Sequence, residues 1–140
     1  MIDFTSDFGR VVKVHIGDQY VIWLTTVDST LTPQPRPVWF VWEQESFLIF
    51  SQAKAHKVAH IRKNPKVALH FNTDESGDKH VIVFTGEASI DTDSAPAHLV
   101  PAYFEKYKEG IAGLDMTPEA FSREYSVALR IHPAELRGWE

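Results

Sequence analysis

Cysteine is absent from this chain of 140 residues, and no run of apolar residues is longer than five. The absence of cysteine excludes disulfides, thiolate metal ligands and cysteine nucleophiles, and it agrees with a reducing compartment. The short apolar runs exclude a membrane-spanning helix, which needs about 20 apolar residues. Residues 1–12 contain no basic segment followed by an apolar one, so we expect no secretory signal and a cytoplasmic location.

Positive charge is scarce and concentrated in one place. The chain has 14 Lys and Arg residues against 19 Asp and Glu residues, a net charge of −5, which argues against a nucleic-acid partner. Residues 53–66 are the exception, because they contain no acid and the five bases Lys54, Lys57, Arg62, Lys63 and Lys66. Lys54 and Lys57 fall at the predicted start of a helix, where backbone N–H groups favour a phosphate. We therefore predict an anion site there, whereas Arg62 and Lys63 fit better as complements to the C-terminal end of that helix.

Short β-branched and aromatic runs between turn-forming residues predict a mainly β protein with a few helices, organised as one domain over residues 1–140. The predicted strands are residues 20–27, 38–42, 47–51, 67–71, 80–90 and 125–131, and their short polar connections make neighbours antiparallel. Helices are predicted at 55–64, at 94–107 and after Thr117 as an N-cap, while residues 1–18 form a helix or an irregular arm.

Residues 38–42 are apolar on both faces of the predicted strand. A strand on the outside of a small barrel should alternate between apolar and polar residues. We therefore expect the second face to be covered by another subunit, which predicts a homodimer. The alternative is that helices of the same chain cover it.

Two further patterns bear on ligands. His56 and His60 lie four residues apart on the predicted helix, but they lack the Glu of a zinc-protease motif and have lysine neighbours, so we expect no metal site. Arg36 lies among alternating prolines that hold an extended backbone, from which a guanidinium can bind a phosphate. Taken alone, Arg36 fits a solvated surface charge better.

Residues 50–69 combine an aromatic residue and Ser51 with a Lys-containing helix and an Asn-Pro-Lys-Val-Ala-Leu segment. This stretch resembles the cofactor-binding segment of the pyridoxamine 5′-phosphate oxidase-like FMN-binding split-barrel family, and residues 36–42 resemble its second strand. Residues 116–119, 125–128 and 137–139 are similar to the branch that uses the deazaflavin coenzyme F420. The resemblance implies a six-stranded antiparallel Greek-key split β-barrel that forms a homodimer, with cofactor sites at the subunit interface.

The resemblance also implies the site residues. The cofactor, coenzyme F420 or FMN, would be bound by Arg36, Pro37, Val38, Trp39, Phe50, Ser51, Lys54, His56, Lys57 and His60. The phosphate would contact Arg36, Ser51, His56 and Lys57, and the polyglutamate tail of F420 would suit Lys54, Arg62, Lys63 and Lys66. The substrate pocket would contain Trp42, Tyr103, Tyr107 and Trp139.

Departures from the family pattern bear on the reaction. The oxidase has a Lys and an Arg that bind the substrate phosphate, and Trp42 and Tyr107 stand at those positions here. The oxidase's C-terminal Arg-Leu-His signature is also missing, so we do not expect vitamin B6 oxidation. We expect hydride transfer between F420 or FMN and a small, planar organic substrate, with no side chain named as catalytic. The alternatives are a haem-binding or haem-degrading protein, with His70 or His80 on the iron, and a non-catalytic flavin-binding module.

Overall fold

Antiparallel strands dominate the computed structural model, which describes residues 2–140. Within these residues seven strands form one sheet and four α-helices pack around it. The strands are β1 (Val21–Val27), β2 (Pro33–Trp39), β3 (Val41–Glu43), β4 (Ser46–Ser51), β5 (Lys66–His70), β6 (Val81–Ile90) and β7 (Val127–Trp139). The helices are α1 (Asp7–Asp18), α2 (His56–Lys63), α3 (Pro101–Gly113) and α4 (Pro118–Glu124), with a short 3-10 helix at Ala97–Leu99.

The sheet curls on itself. Its strand order is β2-β1-β5-β6-β7-β4-β3, so β2 and β3 are the two edges, yet only Phe40 separates them along the chain. The two edges must therefore meet at Phe40, which gives an open barrel and confirms the mainly β fold class. The single strand predicted at 38–42 is interrupted, because the Tyr107 hydroxyl accepts from the Phe40 N–H at 2.7 Å and lies 2.8 Å from its carbonyl oxygen.

Strand β2 extends further back than the sequence pattern predicted. It contains Pro33, Pro35 and Pro37 and still pairs with β1 along its whole length. Successive N–H groups of a strand point to opposite sides, so prolines at alternate positions remove donors along one side only. The free edge of β2 consequently offers few donors for pairing with another strand.

Strand β7 is also longer than predicted, because it continues past Pro133 to Trp139. A register shift in its pairing with β6 falls between Thr85 and Gly86 and accommodates the proline. Gly86 is needed there, since a Cβ atom would collide with the His132 carbonyl oxygen and with the Pro133 Cα.

The helices follow their local start and stop signals, with one exception. Thr117 caps α4 by accepting from the Ala120 N–H at 3.1 Å, as predicted, and residues 7–18 form a helix. The helix predicted at 94–107 instead begins at Pro101, because a proline inside a helix lacks the N–H that the ladder requires. No helix within residues 2–140 has the length and apolar character needed to cross a membrane.

Two apolar cores lie on the two faces of the sheet. The inner core includes Ile22, Leu24 and Phe84, and α1 adds Val12 and Ile16. The outer core packs strand residues against α3 and α4. Its members are Val41, Leu48, Phe50, Ala97, Val100, Tyr103, Tyr107, Ile111, Phe121 and Ala128, with Trp39 packed against them.

The outer core accounts for the two apolar faces of residues 38–42 without a second subunit, so the argument for a homodimer from these residues was wrong. Trp39 and Val41 form the second apolar face of residues 38–42, and helices of the same chain cover both of them. The alternative explanation, helix cover, is therefore the one that the structure supports. The homodimer itself stays a prediction and needs another surface.

Candidate functional site

A cleft of about 500 Å³ opens between the ends of β2 and β4, the start of α2, and helices α3 and α4. Seven residues of the predicted site line it, and six further residues were not predicted. The predicted ones are Pro37, Val38, Trp39, Phe50, Ser51, Lys57 and Tyr103. The others are Val21, Gln52, Ala55, Leu114, Phe121 and Tyr125.

Aromatic rings form one wall of the cleft. Trp39 lies nearly parallel to Tyr107, with ring centroids 4.6 Å apart, and to Phe121, at 5.8 Å. Tyr125 continues this series by stacking on Phe121 at 4.5 Å. Offset stacking of this kind favours flat, rigid groups, so the wall can accept a planar ring system.

Lys57 lines the cleft, and the exposed Arg36 lies near it but outside the lining. Burial and the nearby Arg36 guanidinium, in that order, lower the pKa of the half-buried Lys57. Neither residue forms an ion pair with any carboxylate in residues 2–140. Lys57 comes from the first turn of α2 and Arg36 from β2, so the curled sheet brings together charges that are 21 positions apart in the sequence.

Ser51 ends β4 beside this cation pair and is buried. Its hydroxyl donates to the Gln52 carbonyl at 3.0 Å. Gln52 in turn donates through its side-chain amide to Glu124 at 2.9 Å. The predicted role of Ser51 as a phosphate donor therefore requires its hydroxyl to rotate away from the Gln52 carbonyl.

The four remaining predicted cofactor residues, Arg36, Lys54, His56 and His60, lie outside the cleft lining. Lys54 and His56 are exposed around the start of α2. His60 faces β1, where its Nδ1 lies 2.8 Å from the Thr26 hydroxyl. Nowhere in residues 2–140 do three His, Asp or Glu side chains gather in a way that could hold a metal ion.

The four residues predicted for the substrate pocket are separated. Tyr103 lines the cleft, and burial raises the pKa of its hydroxyl, which stays protonated at neutral pH. Tyr107 lies behind Trp39, with its hydroxyl bound to the Phe40 backbone and to the Tyr20 carbonyl.

Both tryptophans of that group lie outside the cleft in this chain. Trp42 packs edge-on against Phe4 and Phe47, at 5.6 and 4.9 Å. Trp42 packs against the inner core and Trp39 against the outer core, so the two side chains lie on opposite faces of the sheet. Trp139 is at the far end of β7, where its indole N–H donates to the Asp78 carbonyl.

Sequence reasoning missed Phe121 and Tyr125 as cleft residues. Thr117 and Pro118 predicted the helix that carries Phe121, but a helix of seven residues gives little periodicity from which to choose its buried face. Phe121 and Tyr125 are four residues apart, and residues at this spacing lie on one side of a helix. This spacing is the sequence signal that could have identified them.

Comparison with known proteins identifies the family. The family model described as pyridoxamine 5′-phosphate oxidase matches residues 10–140. The chain belongs to this family. No protein with a curated description matches the sequence.

Solved structures with the same fold have diverse descriptions. A conserved hypothetical protein of Mycobacterium tuberculosis, Rv2991, is 18% identical, with a TM-score of 0.76 over 97% of this chain and 85% of that one. An F420 reductase is 23% identical, with a TM-score of 0.60 over 84% and 89%. The heme storage protein HutZ of Vibrio cholerae is 18% identical, with a TM-score of 0.66 over 91% and 92%. At these identities the likeness is one of fold.

Proposed function

We propose that the chain binds a phosphate-bearing flavin or deazaflavin, FMN or coenzyme F420, in the aromatic cleft. The observation that carries this proposal is Lys57, a half-buried cation in the lining of an apolar cleft, with the exposed Arg36 nearby and no carboxylate partner for either. Two neighbouring cations repel each other, and burial adds to the cost of the Lys57 charge. A bound phosphate would offset the repulsion between the two cations and the cost of burying the Lys57 charge. It would also accept charge-assisted hydrogen bonds from each side chain.

The cleft suits the rest of such a ligand. The stacked rings of Trp39 and Phe121 line it, and Val38 and Phe50 add apolar surface. We assign the ring system to this wall, with the phosphate toward Lys57.

The bound cofactor supplies hydride chemistry, while the protein orients the ring and excludes water from it. The substrate class we propose is a small, planar organic molecule that stacks on the ring. Vitamin B6 oxidation is disfavoured, because Trp42 and Tyr107 replace the basic residues that bind the substrate phosphate in the oxidase. Tyr107 is moreover engaged with backbone groups through its hydroxyl.

We also propose that the protein is a cytoplasmic homodimer that associates through the outer face of β1, β2 and β5. On this face Trp23 stacks on His70 with ring centroids 6.1 Å apart, beside Pro37. Trp23 and His70 are both partly exposed, and Pro37 also lines the cleft. A second copy seated here would therefore border the cofactor. Light scattering should give twice the chain mass, and Trp23→Asp should give a monomer; a monomeric wild type would contradict the dimer.

Haem is the weaker alternative within the same fold. No histidine lines the cleft within residues 2–140. His70 lies on the outer sheet face against Trp23, and His80 lies against His15 of α1 with ring centroids 5.2 Å apart. The two histidines considered as iron ligands therefore lie away from the aromatic wall.

The decisive experiment is to identify what the protein binds. The absorbance spectrum and mass of any copurified chromophore should be measured, and the stripped protein titrated with FMN, F420 and haem. We expect one of the two flavin-type cofactors to bind at micromolar or lower concentration, and the reduced complex to be reoxidised by planar acceptors. Preferential binding of haem would overturn the proposal. Tight cofactor binding without turnover of any acceptor would favour the non-catalytic flavin-binding alternative.

A further inference from the structure

A second cleft, of about 810 Å³, adjoins the first one. Phe50 and Tyr125 line both clefts and form the partition between them. The remaining walls come from the last turn of α2, the segment after β6, and the junction of α4 with β7. Of the site residues predicted from the sequence, Phe50 and Arg62 line this second cleft.

Two arginines converge on the second cleft, Arg62 from the end of α2 and Arg123 from the end of α4. Both are exposed, and neither forms an ion pair or a side-chain hydrogen bond in the part of the chain that the structure describes. The only carboxylate in the lining, Asp91, already accepts from Arg130 at 3.1 Å, and this hydrogen bond lowers its pKa.

A position near a helix C-terminus explains each arginine separately, because a cation there complements the helix dipole. It does not explain why two different helices end with a guanidinium in the same cleft. Helix α4 has seven residues, so its dipole is small. The hydroxyls of Ser126 and Thr92 also line the cleft and are suitable neutral donors to an anion.

We propose that the second cleft is an anion-binding subsite for a carboxylate or phosphate group. Guanidinium groups bind both chemistries through paired N–H donors. Because the two clefts share a wall, the anionic group has two possible sources. It belongs either to a cofactor that extends past Phe50 or to a substrate that lies beside the cofactor. FMN has no second anionic group, whereas the tail of F420 does. The structure thus revises the expected tail contacts, since Lys54, Lys63 and Lys66 do not line this cleft.

The subsite is testable without any cofactor, so its failure is distinguishable from failure of the proposed function. The stripped protein should be titrated with citrate and with inorganic pyrophosphate by calorimetry. The variant Arg62→Gln/Arg123→Gln removes the two cleft arginines. Lys63→Gln/Lys66→Gln is the matched control, because it removes the same amount of charge from two residues near Arg62 in the chain that do not line the cleft.

We expect the arginine double variant to bind citrate about tenfold more weakly than wild type, since each exposed contact contributes under about 1 kcal/mol and 1.4 kcal/mol is tenfold. The control should change affinity by less than about twofold. Equal losses in the two variants would show a general field effect and overturn the subsite. Absence of citrate and pyrophosphate binding to the wild type at millimolar concentration would also overturn it.

A second titration identifies the source of the anion, with F420 and a tail-free deazaflavin phosphate as probes. If the arginine double variant weakens only F420, the anionic group belongs to the cofactor. If neither cofactor is affected and citrate still binds to the loaded protein, it belongs to the substrate. Both outcomes support the subsite. Equal weakening of the two cofactors would contradict it, because the arginines would then act on the first cleft.

Discussion

Replacing Lys57 by Met is the sharpest test of the phosphate site. The substitution removes the ammonium and keeps most of the aliphatic stem that packs at the cleft. A hydrogen bond to a charged group contributes roughly 1.5–3 kcal/mol. Lys57 is half-buried and Arg36 remains in the variant, so we expect the lower end of this range. That corresponds to about a tenfold loss of affinity for FMN or F420.

The same substitution should leave the stability of the stripped protein unchanged or slightly raised. Burial and Arg36 both disfavour the Lys57 charge, and these two effects lower its pKa in the folded state. Between the lowered pKa of Lys57 in the folded state and its pKa in the unfolded chain, the folded state binds fewer protons than the unfolded state. The free energy of unfolding of the wild type therefore rises with pH through this interval. Cofactor affinity should follow the opposite trend and fall over the same interval, because phosphate prefers the protonated amine.

The assay is a fluorescence titration of the stripped protein from neutral to alkaline pH, with thermal melts of the same samples. Lys63→Met is the matched control, because Lys63 is exposed in the last turn of the same helix. The Lys57 variant should lose most of the pH dependence of affinity, and the control should retain it. Equal affinity of wild type and the Lys57 variant would refute the assignment. An equal loss of affinity in the Lys63 variant would show that net charge alone explains the effect.

Four further substitutions test the framework of the site. Arg130→Met should cost about 3–5 kcal/mol of unfolding free energy in urea, because it leaves two carboxylates without the guanidinium that binds them at 2.7 and 3.1 Å; a cost below about 1 kcal/mol would contradict this. Gly86→Ala should lower the free energy of unfolding by about 1–3 kcal/mol in the same assay, since its Cβ would displace the β7 backbone. An unchanged urea midpoint would contradict this, because it would show that β7 moves aside at no cost. Tyr107→Phe should lower the free energy of unfolding by about 1–3 kcal/mol, because it loses buried hydrogen bonds. Tyr103→Phe should cost less, because the Tyr103 hydroxyl has no protein partner in the described chain. The reverse order would refute the roles assigned to the two hydroxyls.

Local signals in the sequence determined most of the elements. Thr117 before a proline predicts the start of α4, and Asn64 before Pro65 predicts the end of α2. Both signals act through the backbone of a few neighbouring residues, so they need no tertiary information. For the same reason the sequence located Lys57 in the first turn of a helix, directly after the strand that ends at Ser51.

The tertiary structure decided what covers each face. Periodicity shows that residues 38–42 are apolar on both sides, but the same pattern is expected beneath a helix and beneath a second subunit. The choice depends on α3 and α4, which pack over Trp39 and Val41 from more than 60 positions away in the sequence. Tyr107 also interrupts the strand at Phe40 from that distance. Such long-range contacts depend on how the sheet curls, and no local pattern of residues specifies that.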